Sequence, residues 1–262
     1  MGIVQSIGKG FSLSTKLLVI ALIFFIFNFV MGLMMLPFTG PTGATNPQLM
    51  PVTLLLSLIS VLIFIFLQGG ALGAIRDMIK NNSFSLSSFV ANGKKYYLRI
   101  LGLFAIILLL ALALIIIIAL ISGGLLAVAN NAFTRSLLTA IIIVISVCAV
   151  ILLLFPIYSI ILEDKGPIAA IKKGIQVSMQ NFWKAMGLFL LLLLIAFVLA
   201  FLVGVVGALL AGALPLKVGQ AVMLFVNSAL QSYLSVVMMT AFMSFYLGLC
   251  SKENVSEGPT PA

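Results

Sequence analysis

Long apolar runs separated by short polar joints make up nearly the whole chain, and that alternation predicts its architecture. Six runs hold the roughly 20 mostly apolar residues that a membrane-crossing helix needs: 17–36, 52–75, 100–121, 136–162, 186–210 and 221–249. None alternates in the two-residue rhythm of a barrel strand, and lipid demands a backbone whose hydrogen bonds close within the segment. The fold class expected is all-α, a polytopic membrane protein whose six transmembrane helices form three hairpins. Residues 1–250 are expected to make a single six-helix transmembrane domain, and 251–262 a short polar C-terminal tail. The first run is too long for a signal-peptide core and lacks a small-residue cleavage site, so it is expected to be a retained span.

Two of the joints carry a helical pattern of their own. In 168–186, Ile168, Ile171, Ile175, Met179, Phe182 and Met186 recur at steps of three and four, with Lys172, Lys173, Gln176, Gln180 and Lys184 between them. Asp164 ahead of Gly166-Pro167 is expected to start that helix, with Pro167 in its first turn, where a missing N–H costs nothing. In 83–99 the pattern returns as Leu86, Phe89, Val90, Gly93 and Tyr97, ending on Lys94, Lys95 and Arg99. Amphipathic helices of this kind lie at the inner headgroup boundary with lysines outward. Trp183, the single Trp, fits an interfacial aromatic belt. Lys94, Lys95, Arg99, Lys172, Lys173, Trp183 and Lys184 are thus the candidate contacts for lipid headgroups or a protein partner.

These joints also resemble each other. Gly102-Leu103-Phe104 matches Gly187-Leu188-Phe189 at an offset of 85, and Lys16 precedes Arg99 by 83. Each even run ends near acid: Asp77, Glu163 with Asp164, and Glu253. A hairpin repeated at a spacing near 85 residues would produce this. Apolar helix pairs with basic inner joints would also look alike without any repeat.

Composition and charge settle the class. Hydrophobic residues are 63% of the 262, charged residues 7%, and the mean hydropathy is +1.35; a soluble domain carries about 25% charged residues. Twelve of the 14 Lys and Arg fall on one side of the six runs: Lys9, Lys16, Arg76, Lys80, Lys94, Lys95, Arg99, Lys165, Lys172, Lys173, Lys184 and Lys252. Only Arg135 and Lys217 fall on the other. Such a bias predicts a cell-membrane protein with both termini cytoplasmic. The net charge of +9 then points to anionic headgroups and not to nucleic acid. The sequons at Asn81 and Asn254 are expected to stay unglycosylated on that side.

Little chemistry is visible. There is no histidine, two cysteines make no disulfide framework, and the five acids lie at span ends or in the tail. No metal, cofactor or enzymatic activity is expected. Ion-coupled transport usually needs a charge within the membrane, and no run carries one at its middle. The sixth run is the most polar. Asn227 and Gln231, four apart, and Tyr233 mark a candidate polar crevice, the plainer alternative being hydrogen bonds between helices. Pro156 is expected to kink the fourth run.

The order of features in 163–189 is an acidic span end, Lys-Gly-Pro, a basic amphipathic helix, Asn-Phe-Trp-Lys and Gly-Leu-Phe. It resembles the six-helix membrane domain found N-terminal to some glycerophosphodiester phosphodiesterases, and related stand-alone prokaryotic membrane proteins of unknown function. The likeness implies architecture and a prokaryotic envelope setting. It does not imply hydrolysis, because no residues here match the catalytic domain. The expected function is that of a non-enzymatic scaffold or accessory subunit touching headgroups or a cytoplasmic partner, with a homo-oligomer also open. The alternative is a transporter or permease for an uncharged or lipid-like substrate.

Overall fold

The computed structural model describes residues 2–35, 38, 50–129 and 131–256. The joint at 39–49 and the last six residues of the expected tail lie outside them. Every regular element among the described residues is a helix: α1 (Ile3–Lys16), α2 (Leu18–Met35), α3 (Met50–Asn81), α4 (Leu86–Val128), α5 (Ala132–Leu152), α6 (Pro156–Glu163), α7 (Pro167–Gln180), α8 (Phe182–Gly212) and α9 (Leu216–Ser256). Six helical stretches are long and apolar enough to cross a membrane: α2, α3, α4, α5 with α6, α8 and α9. The chain is a multi-pass membrane protein. Its helices outrun the apolar runs that predicted them. The 43 residues of α4 span about 64 Å at 1.5 Å per residue, twice a hydrocarbon core. α9 likewise continues to Ser256, into the segment expected as a tail.

The chain divides into two compact units. The first comprises Met1–Tyr97 with Gly187–Ala262. Its core helix is α9, whose most apolar window is 56% buried, against 11% or less in the other spans. α1, α2 and α3 all pack on α9. That explains the polar character of the sixth run. Ser228, Ser232, Thr240 and Ser244 are buried between helices, where a small side chain permits close approach. Ser232 and Thr240 donate to the carbonyls four residues back at 2.6 and 2.8 Å, and Asn28 of α2 donates to the Ser232 hydroxyl at 2.9 Å. Nearer the other end of α9, Phe225 stands edge-on to Phe25 and Phe29 of α2, with centroids 5.0 and 5.7 Å away.

α1 was not foreseen. Its buried residues are Ser6, Ile7, Gly10 and Ser14, a short face made mostly of small side chains. Gly10 lets it approach α9: an added Cβ would stand 3.0 Å from the Val237 carbonyl oxygen. α4 opens against α3 in the same manner. A Cβ on Gly93 would stand 3.1 Å from the Phe66 carbonyl oxygen, and one on Gly73 would meet the Asn92 side chain at 2.4–2.7 Å. The amphipathic segment 83–99 is the opening of α4, continuous with the span. Its buried residues are Phe89, Asn92, Gly93 and Tyr96, while Leu86 and Val90 are exposed.

The second unit is Leu98–Met186. The fourth span breaks where Pro156 was expected to kink it: α5 ends at Leu152, and α6 restarts with Pro156 in its first turn. α7 packs across this break. A Cβ on Gly174 would stand 2.5–2.7 Å from Pro156 atoms, and Ser178 donates to the Leu152 carbonyl at 3.2 Å. Asp164 does not start α7. It ends α6 in the left-handed region at φ 53°, and Gly166 caps α7 ahead of Pro167. A short acidic side chain tolerates that conformation, and here it frees the carboxylate for another partner.

Candidate functional site: basic helix faces and a polar groove

The structure separates the headgroup candidates into paired and presented groups. Arg99 is paired: its Nη1 donates to the Asp164 carboxylate at 2.6 Å and to the Asp164 carbonyl at 2.9 Å. It fastens α4 to the turn between α6 and α7. Lys95 stands 4.9 Å over the Tyr96 ring, a cation–π distance, while Lys94 beside it is exposed.

On α7 the buried face consists of Ala170, Gly174, Val177 and Ser178. Small residues hold it against α5 and α6, so the larger apolar side chains are left outside. Ile168 and Met179 are each 65% exposed, and Trp183 at the start of α8 is 76% exposed. Lys172 and Lys184 are exposed and Lys173 half-buried. The outer surface of α7 and the first turn of α8 therefore mixes uncovered apolar groups, a Trp and lysines, the composition of an interfacial helix. Ile168 and Met179 of the apolar stripe are left uncovered, because Gly174 and Ser178 are what a close crossing requires.

The crevice residues part company. Asn227 and Gln231 line a groove of about 740 Å³ between α8 and α9, with Leu193 and Phe197 on its α8 wall. Tyr233 is half-buried and does not line it. The groove is mostly apolar, with two amide side chains on one wall.

One polar cluster escaped the sequence reading. At the α3–α4 crossing, Arg76 bonds Asp77 at 2.8 Å, the Tyr96 hydroxyl at 2.5 Å and the Asn92 oxygen at 3.3 Å; Asn92 in turn donates to the other Asp77 oxygen at 3.1 Å. The signal was present as Asn92 and Tyr96, four apart on the face of Phe89, but an apolar rhythm passes over both. Two α-helical hydroxyls, Ser159 and Ser244, and the Gln68 side-chain carbonyl oxygen are buried without a partner among the described residues. Among the described residues no group of three or more His, Cys, Asp or Glu could hold a metal ion.

A family model described as "Domain of unknown function (DUF7847)" matches residues 1–249. The chain belongs to that family. Neither a curated protein nor a solved structure matches it. The matched stretch covers the first five spans and the sixth to within two residues of its end, so the six-span architecture belongs to the family domain.

Proposed function

We propose that the protein is a non-enzymatic component of the cell membrane, a scaffold or accessory subunit whose basic helix face meets anionic headgroups or a cytoplasmic partner. The observation that carries this reading is the outer surface of α7 and the start of α8. Ile168, Met179 and Trp183 stay uncovered beside Lys172 and Lys184. Exposed apolar and cationic groups together suit the boundary between acyl chains and acidic lipid. The distribution of Lys and Arg supports an orientation with both termini cytoplasmic. The likeness of 163–189 to the membrane domain of glycerophosphodiester phosphodiesterases fits a lipid-facing role and brings no hydrolase activity with it.

The test is a purification and a variant. Mild-detergent extraction should recover a stoichiometric partner or an anionic lipid, and Lys172→Glu with Lys173→Glu should lower that recovery. Unchanged recovery in the double variant would sink the proposal. For orientation, a cysteine at Ser87 should be labelled only from inside. A second reading, a permease for an uncharged or lipid-like substrate, is favoured by the groove between α8 and α9 that Asn227 and Gln231 line. It requires a solute or lipid retained there, lost on Gln231→Leu.

A further inference from the structure

The crossing of α1 on α9 matches the crossing of α4 on α3 in register but not in charge: Arg76 and Asp77 fall on Leu247 and Gly248, and Asn92 falls on Lys9. Moving α3 forward by 171 residues places Phe66 on Val237, Gly70 on Ala241, Gly73 on Ser244 and Asp77 on Gly248. Moving α4 back by 83 places Gly93 on Gly10, Asn92 on Lys9 and Arg99 on Lys16. The contacts agree with this register. Gly93 approaches the Phe66 carbonyl as Gly10 approaches that of Val237, the two pairs that the register superposes.

In the α3–α4 crossing the polar centre is the Asp77 carboxylate, bonded by Asn92 and Arg76. At the corresponding place the α1–α9 crossing has Gly248, which carries no side chain. A recess of about 400 Å³ opens there, lined by Lys9, Ile79, Ser244, Leu247, Gly248 and Ser251. Its chemistry lacks an anion. Lys9 has no ion-pair partner among the described residues, and no acid among them lines the recess. Ser244 is 2% exposed, and its hydroxyl has no hydrogen-bond partner among the described residues. A buried hydroxyl without a partner is costly, and native structures rarely leave one unless a ligand or water completes it. An ammonium and an unused hydroxyl around an acid-free space are what a phosphate oxygen pairs with, by charge-assisted hydrogen bonds. Ile79 and Leu247 give the same recess an apolar wall at the ends of membrane-crossing helices, suiting a phosphate that carries acyl chains.

We propose that this recess binds the phosphate group of an anionic phospholipid, with Lys9 supplying the counter-charge and Ser244 a hydrogen bond. The inference deepens the lipid-contact reading given above and rests on it, but through residues remote in sequence from Lys172 and Lys173. The sharpest probe restores the missing carboxylate. Gly248→Asp places an acid where Asp77 stands in the other crossing and should expel the lipid phosphate.

The full chain is placed in nanodiscs of phosphatidylglycerol and phosphatidylcholine, extracted, and its retained lipid counted by native mass spectrometry. Wild type and Lys9→Arg should retain phosphatidylglycerol. Lys9→Gln and Gly248→Asp should each lower retention about tenfold or more, the scale of a lost charged hydrogen bond. Millimolar inorganic phosphate should compete with it. Phosphate binding to lipid-free protein, without retained phosphatidylglycerol, would overturn the lipid as the source. Retention equal in wild type, Lys9→Gln and Gly248→Asp would overturn the site altogether. Lys172→Glu with Lys173→Glu, run in parallel, separates the two readings. Loss only in that double variant refutes the recess, and loss only in the Lys9 and Gly248 variants refutes the α7 face. Lys9 is exposed, so its variants should fold, and a thermal melt of each confirms it.

Discussion

Replacing Gly174 by alanine isolates the crossing of α7 over the broken fourth span. In a helix interior, Gly→Ala normally gains about 1 kcal/mol from propensity. Here the new methyl would stand 2.5, 2.6 and 2.7 Å from the nitrogen, Cδ and Cα of Pro156. Ordinary contact begins at 3.4 Å, so α7 must retreat by about 0.9 Å or Pro156 must yield. Neither obstructing group is a flexible side-chain end: two atoms are backbone and the third is fixed in the ring. Overpacking of this kind costs about 1–3 kcal/mol, and the rigid neighbours place it at the upper end. Subtracting the propensity gain leaves a net loss of about 2 kcal/mol. That corresponds to a fall in melting temperature of about 4–8 °C for a chain of this size. The control is Gly204→Ala in α8, where nothing lies within 4 Å and the propensity gain should appear alone. Both variants are melted in the same micelle, followed by the helical signal. If Gly174→Ala stabilises as much as Gly204→Ala, α7 does not cross at this distance.

Other perturbations should rank by burial and partner. Asp77→Ala leaves the Arg76 guanidinium and the Asn92 amide short of an acceptor and should cost about 1–3 kcal/mol in the same melt. By contrast, Arg99→Gln breaks a bond to Asp164 whose two side chains are 35% and 53% exposed, so the loss should stay below about 1 kcal/mol and shrink in high salt. A double-mutant cycle of Asn28→Ala with Ser232→Ala should return a coupling of about 0.6 kcal/mol and no more than about 2, read from unfolding in micelles.

The six spans were legible because twenty apolar residues in a row have few other places to go. Pro156 announced the break in the fourth span for an equally local reason, the missing N–H. The packing faces were harder to see. A hydrophobic stripe marks an inward face in water, where burial of large side chains drives association. Between membrane helices the lipid is as apolar as leucine, so the contact goes to whatever lets two backbones approach. α7 accordingly packs through Gly174 and Ser178 and leaves Ile168 and Met179 outside. α1 escaped notice because it is short and polar beside the spans, although Ile3, Ile7 and Phe11 recur at helical steps. The candidate lysines were found by sequence, yet only coordinates show that Arg99 is tied to Asp164 while Lys172 and Lys184 are presented. Asn227 and Gln231 were recognised as sharing a face, whereas Tyr233, two residues past Gln231, falls on another face by helical geometry and does not line the groove.

The pairing of α1 with α9 also governs the order of assembly. Gly10 meets the Val237 carbonyl, so the groove that α1 needs is synthesised 227 residues after α1 itself. At about 5–20 residues per second, the interval is on the order of 10–45 s. During that time Ser6, Gly10 and Ser14 have no helix to bury them, and only the headgroup layer or a chaperone can hold α1. The unit built around α9 therefore closes late, whereas the α6–α7 crossing, whose residues are made close together, can form as soon as both helices emerge.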